Sequence, residues 1–267
     1  MLLDTRATIT VECPHACPVV AMLRPRSGAA QWVVSEHYGI APWIRPREYE
    51  DAFGNLCQRF TVPPGRTALD VQSQVEVDAE LAVAPDAAPT PIDLLPDEVL
   101  VYLLQSRYCP SDKLEAQARE IVAGAAPGYA QVETIRRWIH ENHEYRYGVS
   151  QESTDALDTM QAKAGVCRDF AHIGAALCRS LRIPARIVVG YLYQLDPMDL
   201  HAWFEAYVGG RWYCFDATQT APRGGRVVMA YGRDAADVAF LSNYADMSVV
   251  DMQVSVALAD EKRTHVP

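Results

Sequence analysis

The sequence predicts an α+β protein, with an N-terminal β-sandwich followed by a core in which a cysteine-bearing helix packs on an antiparallel sheet. Three observations predict this. Short alternating apolar runs, broken by Gly, Pro and Asn, fill roughly the first 80 residues, a spacing that suits a sandwich. Prolines at 85, 89, 91 and 96 among Ala and Asp then mark a semi-rigid connection. Beyond it, helical periodicity gives way to β-branched and aromatic runs. The expected organisation is a sandwich over residues 1–84, a linker over 85–96 and a second domain over 97–267.

The elements follow in order. Residues 8–12 alternate, 19–23 form an apolar run and 31–35 follow. Asp51-Ala52-Phe53-Gly54-Asn55 reads as a turn into a strand over 56–62, and 69–77 alternate again. After the linker, short helices are expected over 97–104 and from Ser111 through Val122. A third spans 129–142, with Val132, Ile135, Trp138 and Ile139 on one face. Phe170, Gly174, Leu177 and Leu181 repeat at helical spacing, and Pro184 ends that segment. Strands are expected over 185–193, 201–208 and 211–216, with Gly209-Gly210 as a two-residue hairpin turn. Residues 249–258 alternate and form a late strand of the second half.

The chain has 267 residues and a formal net charge of −10, which disfavours nucleic-acid and anionic-membrane partners. The first residues lack a basic stretch ahead of a long apolar one, and no apolar run is long enough to span a bilayer. Seven cysteines without a regular spacing argue against a disulfide framework, so a reducing, cytoplasmic location is expected. Cys13-Pro14-His15-Ala16-Cys17 lacks the second ligand pair of a metal site and is flanked by strands. Neither a metal nor another cofactor is expected.

The chemistry centres on Ala164-Gly165-Val166-Cys167-Arg168-Asp169-Phe170-Ala171-His172. Cys167 sits at the expected start of a helix, where unpaired N–H groups and the positive dipole end favour a thiolate. Read alone, the stretch fits a nucleophile or a buried structural cysteine equally. A cysteine nucleophile needs a base, and the base an orienting group. The Gly209-Gly210 turn places Val208 opposite Arg211, hence His201 opposite Thr218 and Asp216 opposite Trp203. His201 and Asp216 then share a face one diagonal step apart, about 7–8 Å between backbones and within side-chain reach. In the roles these residues suggest, His201 pairs with Cys167 and protonates the leaving amine, and Asp216 fixes the imidazole. The Cys167 N–H is a candidate oxyanion donor.

These motifs resemble the core of the bacterial transglutaminase-like superfamily. The cysteine stretch, then Leu181-Arg182-Ile183-Pro184-Ala185-Arg186 and Gly190-Tyr191, are similar to its core, and the runs at His201–Tyr207 and Phe215–Thr218 to its histidine and aspartate motifs. Gly232-Arg233-Asp234-Ala235-Ala236-Asp237-Val238 resembles a motif that follows the core, and the N-terminal half resembles the β-domain that precedes it. The resemblance implies a papain-like fold with a catalytic triad of Cys167, His201 and Asp216. It also implies thioester chemistry on amide bonds of peptide or protein substrates, resolved by water (protease or amidase) or by an amine (cross-linking). Ala217 stands where the family usually has proline. Water is the favoured acceptor; a noncatalytic binding module of the same fold is the competing class.

Other residues read as structural. Cys178 and His172 are expected to pack, and His140 and His143 to lie on the surface at a helix end. Cys214 shares a face with Asp216, and Trp203, Trp212 and Tyr191 are candidate pocket walls. Gln161 lies six residues before Cys167, an offset that resembles the oxyanion glutamine of papain-like proteases, and is given no role. Arg233 is the expected partner of Asp234 or Asp237. Adjacency alone suggests that the β-domain shapes or covers the cleft.

Overall fold

A computed structural model describes residues 1–28 and 30–259. In chain order the first strands are β1 Leu2–Cys13, β2 Cys17–Ala21, β3 Gln31–Ala41, β4 Arg47–Glu50, β5 Leu56–Val62 and β6 Gly65–Val77. Helices α1 Asp97–Leu100, α2 Glu115–Ile121 and α3 Tyr129–Asn142 follow, then β7 Glu144–Tyr145, α4 Ala156–Ala162, β8 Ala164–Gly165 and α5 Cys167–Ser180. The chain continues with β9 Ala185–Leu192, β10 His201–Val208, β11 Arg211–Phe215, β12 Arg226–Gly232, β13 Leu241–Asn243 and β14 Ser248–Leu258.

Two four-stranded sheets, in the orders β14-β1-β6-β3 and β13-β2-β5-β4, form the sandwich. Their alternation is that of strands with one wet face: along β1 the odd residues Leu3, Ala7, Ile9 and Val11 are buried while Arg6 is exposed. A third four-stranded sheet, β11-β10-β9-β12, carries α5 on one face. Phe170, Ile173 and Leu177 of α5 share a core with Ala202, Phe204 and Ala206 of β10. Tyr191, Val227 and Met229 of the same sheet join the sandwich core with Leu3, Ile9 and Val19, so the two units share apolar surface.

Two findings alter the expected organisation. The late strand exists as β14, but it pairs with β1 from Leu3↔Leu258 to Glu12↔Ser248. β13 likewise pairs with β2. The C-terminal strands therefore complete the sandwich, and a cut at residue 84 separates strands that share a sheet. The alternating apolar side of β14 finds its cover there, as Val254 and Val256 pack on the sandwich core. Second, the sequence reading omitted β12, which places itself beside β9. The linker is tethered: Tyr129 N–H donates to Ala87 C=O and Gly209 N–H to Ala88 C=O.

Candidate active site

The hairpin of β10 and β11 adopts the register its turn dictates, from Val208↔Arg211 to Phe204↔Phe215. Gly209 and Gly210 both take positive φ, +57° and +80°, the turn type whose twist suits a tight hairpin. His201 opens β10, and Asp216 follows the last residue of β11. His201 Nε2 donates to Asp216 Oδ2 at 2.7 Å, with both residues buried. Nδ1 is the ring nitrogen left to face Cys167.

α5 starts at Cys167 with Val166 as its N-cap. The Asp169 carboxylate reaches back to accept the Val166 N–H at 2.9 Å and also accepts the Ser150 hydroxyl at 2.9 Å. This half of a capping box anchors the helix start and leaves the Cys167 N–H without a helical acceptor. Cys167 is partly exposed and opens into a cavity of about 690 Å³. Ile9, Met252, Leu241 and Phe240 supply an apolar wall, and Arg107, Glu152 and Arg168 supply charge. Strands of the sandwich thus line the cleft beside Cys167.

The electrostatics of His201 and Asp216 interlock. Burial works against a charged His201, but the Asp216 carboxylate, with its hydrogen bond, and the neighbouring Cys167 sulfur raise it from 6.5 to about 9. Burial also works against ionised Asp216, yet the Arg226 and His201 charges hold it well below the usual carboxylate range. Thr218 gives Asp216 Oδ1 its backbone N–H at 3.0 Å and its hydroxyl at 2.7 Å.

The sequence reading missed two residues here. Arg226, at the start of β12, donates from Nη2 to Asp216 Oδ2 at 2.8 Å and lies over the Trp203 ring at 4.9 Å. Its signal was the continuous apolar run Val227-Val228-Met229-Ala230-Tyr231 that follows Gly224-Gly225-Arg226. Tyr145 is the second. β7 runs parallel to β8 with Tyr145↔Gly165, which sets the Tyr145 hydroxyl against the Cys167 thiol. Burial first, then the adjoining Cys167 and Tyr147, raise the Tyr145 phenol, which keeps it a donor at neutral pH.

The remaining candidates separate. Cys178 is buried in the core, where desolvation raises its thiol far up. Cys214, opposite Glu205, has its thiol pushed up to about 12 by burial and packs near Arg226. Trp203 flanks His201, with centroids 6.1 Å apart, whereas Tyr191 packs in the sandwich core and Trp212 against Tyr207 and Arg186. Gln161 is exposed on α4. Arg233 pairs with Asp237 at 2.8 Å, while Asp234 accepts the Tyr108 N–H. His143 is buried, not on the surface: its ring lies edge-on to Trp138 and Phe170, because α3 ends against the core under β7. His140 is partly buried and contacts the Ala217 carbonyl at 3.0 Å.

Among the described residues no helix is long and apolar enough to cross a membrane.

Comparison with known proteins places these features in a family. The transglutaminase-like superfamily model matches residues 115–217, and the model of the bacterial transglutaminase-like N-terminal region matches residues 14–78. A Cytophaga hutchinsonii protein of known crystal structure, provisionally assigned as a cysteine protease, is 34% identical. It aligns with a TM-score of 0.90 over 97% of this chain and 91% of its own. An uncharacterised protein of Mycobacterium leprae is 28% identical over 254 residues, covering 89% of this chain and 90% of its own. One from Mycobacterium tuberculosis is 27% identical over 267 residues, 88% and 84% of the two chains.

Proposed function

The chain belongs to the transglutaminase-like superfamily, and on that premise we propose that it is a cysteine-dependent acyl-transfer enzyme that cleaves amide bonds of peptides or proteins. The observation that carries this reading is the buried His201–Asp216 pair, its imidazole raised to about 9 and beside a cysteine at a helix start.

The reaction follows from these groups. The Cys167 sulfur, its proton held by His201 Nδ1, attacks the amide carbon and forms a C–S bond. Negative charge develops on the carbonyl oxygen, where the Cys167 N–H and the Tyr145 hydroxyl are the donors at hand. Collapse breaks the C–N bond, and the His201 proton goes to the departing nitrogen. The thioester then takes water, with His201 receiving the water proton, and releases a carboxylate and the thiol. Asp216 stays ionised throughout, stabilising the imidazolium without taking its proton.

Water is the proposed acceptor because Cys167 is partly exposed in its cleft. Cross-linking by an amine is the outcome to separate from it. All seven cysteines are free, which supports the cytoplasm as the proposed location.

The test incubates the protein with peptides carrying amide and glutamine groups, with and without a primary amine, and reads masses of peptides and protein. Hydrolysed or deamidated peptide is expected in both arms, with an acyl adduct on Cys167 in the intact protein. Amine-adducted peptide as the main product would reassign the acceptor. Undiminished turnover by Cys167→Ala would overturn the reading.

A further inference from the structure

β12 is the outer strand of its sheet, so one row of its peptide groups has no strand partner. Two side-chain amides from the sandwich fill that row. Gln31, the first residue of β3, accepts the Val228 N–H on Oε1 at 2.7 Å and donates from Nε2 to the Val228 carbonyl at 2.8 Å. Asn55, just before β5, does the same for Tyr231, at 2.9 and 2.8 Å. Each carboxamide reproduces the two bonds of a paired strand residue. Outward-facing peptide pairs recur at every second residue of a regular antiparallel strand. Here the register with β9 shifts between Val228 and Ala230, and the extra residue moves the next outward pair to Tyr231.

The Gln31 contact lies in line with the site. Val228 faces Gly190 on β9, and Gly190 faces His201 on β10. Val228 turns its N–H and C=O out to Gln31, so its pairing with Gly190 is the close, non-hydrogen-bonded kind. Gly190 then turns its own peptide groups toward His201. A Cβ on Gly190 would lie 1.9 Å from the Val227 carbonyl oxygen, so this row admits no side chain there. Arg226, which bonds Asp216, precedes Val228 by two residues and shares its face. The Asn55 row ends two residues further along β10: Tyr231 faces Val188, which faces Trp203, whose ring flanks His201 without a hydrogen bond to it.

We propose that Gln31 is a positioning residue of the active site. Its carboxamide, supplied by the β-domain, acts as a surrogate strand that fixes the row holding His201 and the reach of Arg226 to Asp216. This rests on the acyl-transfer reading of the same site. Gln31 completes its bonding by donating to the Arg26 carbonyl at 2.8 Å, and Asn55 is held by Asp51 at 2.9 Å. The Asp51–Asn55 turn therefore docks the domain, whereas Gln31 both docks it and orients the histidine.

The test follows the His201 ring by NMR against pH in the full-length wild type, Gln31→Ala and Asn55→Ala, beside thermal midpoint and amide turnover. Each substitution removes two bonds to β12, so comparable losses of thermal midpoint are expected. The His201 titration is expected to fall by about one unit in Gln31→Ala and to stay within a few tenths in Asn55→Ala. kcat is expected to drop ~10–100-fold in Gln31→Ala, with KM within about twofold of wild type. Should Gln31→Ala not fold, Gln31→Met keeps the length and adds no charge but loses both bonds to Val228, and the same direction of shift is expected. Equal His201 shifts in the Gln31 and Asn55 variants, or none in either, would overturn the proposal and leave both amides as domain contacts. If the wild type turns over no amide, the acyl-transfer reading fails while the His201 comparison still decides the positioning.

Discussion

Two histidines of this fold are equally cut off from water, His172 at 0% and His201 at 2% exposure, yet their environments favour opposite charge states. His172 lies on α5, stacked on Tyr108 with centroids 5.2 Å apart, and its Nε2 accepts the Ala235 N–H at 3.1 Å. No carboxylate pairs with it among the described residues; burial, aided by Arg168 and Arg179, holds it well below 6.5 and neutral. His201 suffers the same loss of solvent, but Asp216 at 2.7 Å outweighs it and the imidazole rises to about 9. Burial sets the penalty, and the partner decides the sign. Of the two, only His201 is charged at neutral pH, and it is the one beside Cys167.

The largest effect that can break this contrast comes from Asp216→Asn. The amide keeps the shape and loses the charge, so His201 is expected to titrate at or below 6.5, like a buried histidine without a counter-ion. Turnover is expected to fall by ~10²–10⁴-fold, measured as kcat/KM on the same peptide. A fall of less than about threefold would mean that Asp216 does not orient the base.

A smaller effect sharpens the comparison through stability. The folded pKa of His201 lies above 6.5, so its contribution is fully present below pH 6.5 and is lost as pH rises toward about 9. The folded pKa of His172 lies below 6.5, so the unfolded chain gains a proton that the fold refuses, and stability declines as pH falls through 6.5. Urea unfolding against pH is therefore expected to lose its alkaline limb in His201→Ala and part of its acid limb in His172→Phe. His172→Phe is expected to cost about 1–3 kcal/mol, because the Ala235 N–H loses its acceptor, with turnover within about twofold. A marked loss of kcat at unchanged stability would give His172 a role that its position does not predict.

The same contrast explains what the sequence could tell. The hairpin register was legible because Gly209-Gly210 fixes it locally, and parity then places His201 and Asp216 on one face. α3 and α5 were legible from their apolar periodicity, and the observed bounds Tyr129–Asn142 and Cys167–Ser180 follow it closely. Features that depend on pairing between distant segments were hidden. β14 was readable as a strand, but its partner β1 lies at the other end of the chain, so its sheet was not. Arg226 reaches Asp216 only because β12 lies beside β9, an order that no local pattern records. Tyr145 reaches Cys167 through a parallel pair of two-residue strands, too short for a periodic signal. His143 was misplaced for a related reason: a polar residue at a helix end looks solvated until the segment that covers it is known.

The measurement that tests the central claim most directly is the rate of Cys167 alkylation by iodoacetamide against pH, in wild type and His201→Ala. The other cysteines are buried, apart from the partly exposed Cys214, so a Cys167→Ser control isolates the signal. The account predicts a wild-type profile in which the ionisation of His201 appears as a separate step, and a slower alkylation without that step in His201→Ala. A single thiol-like ionisation, identical in wild type and His201→Ala, would contradict it.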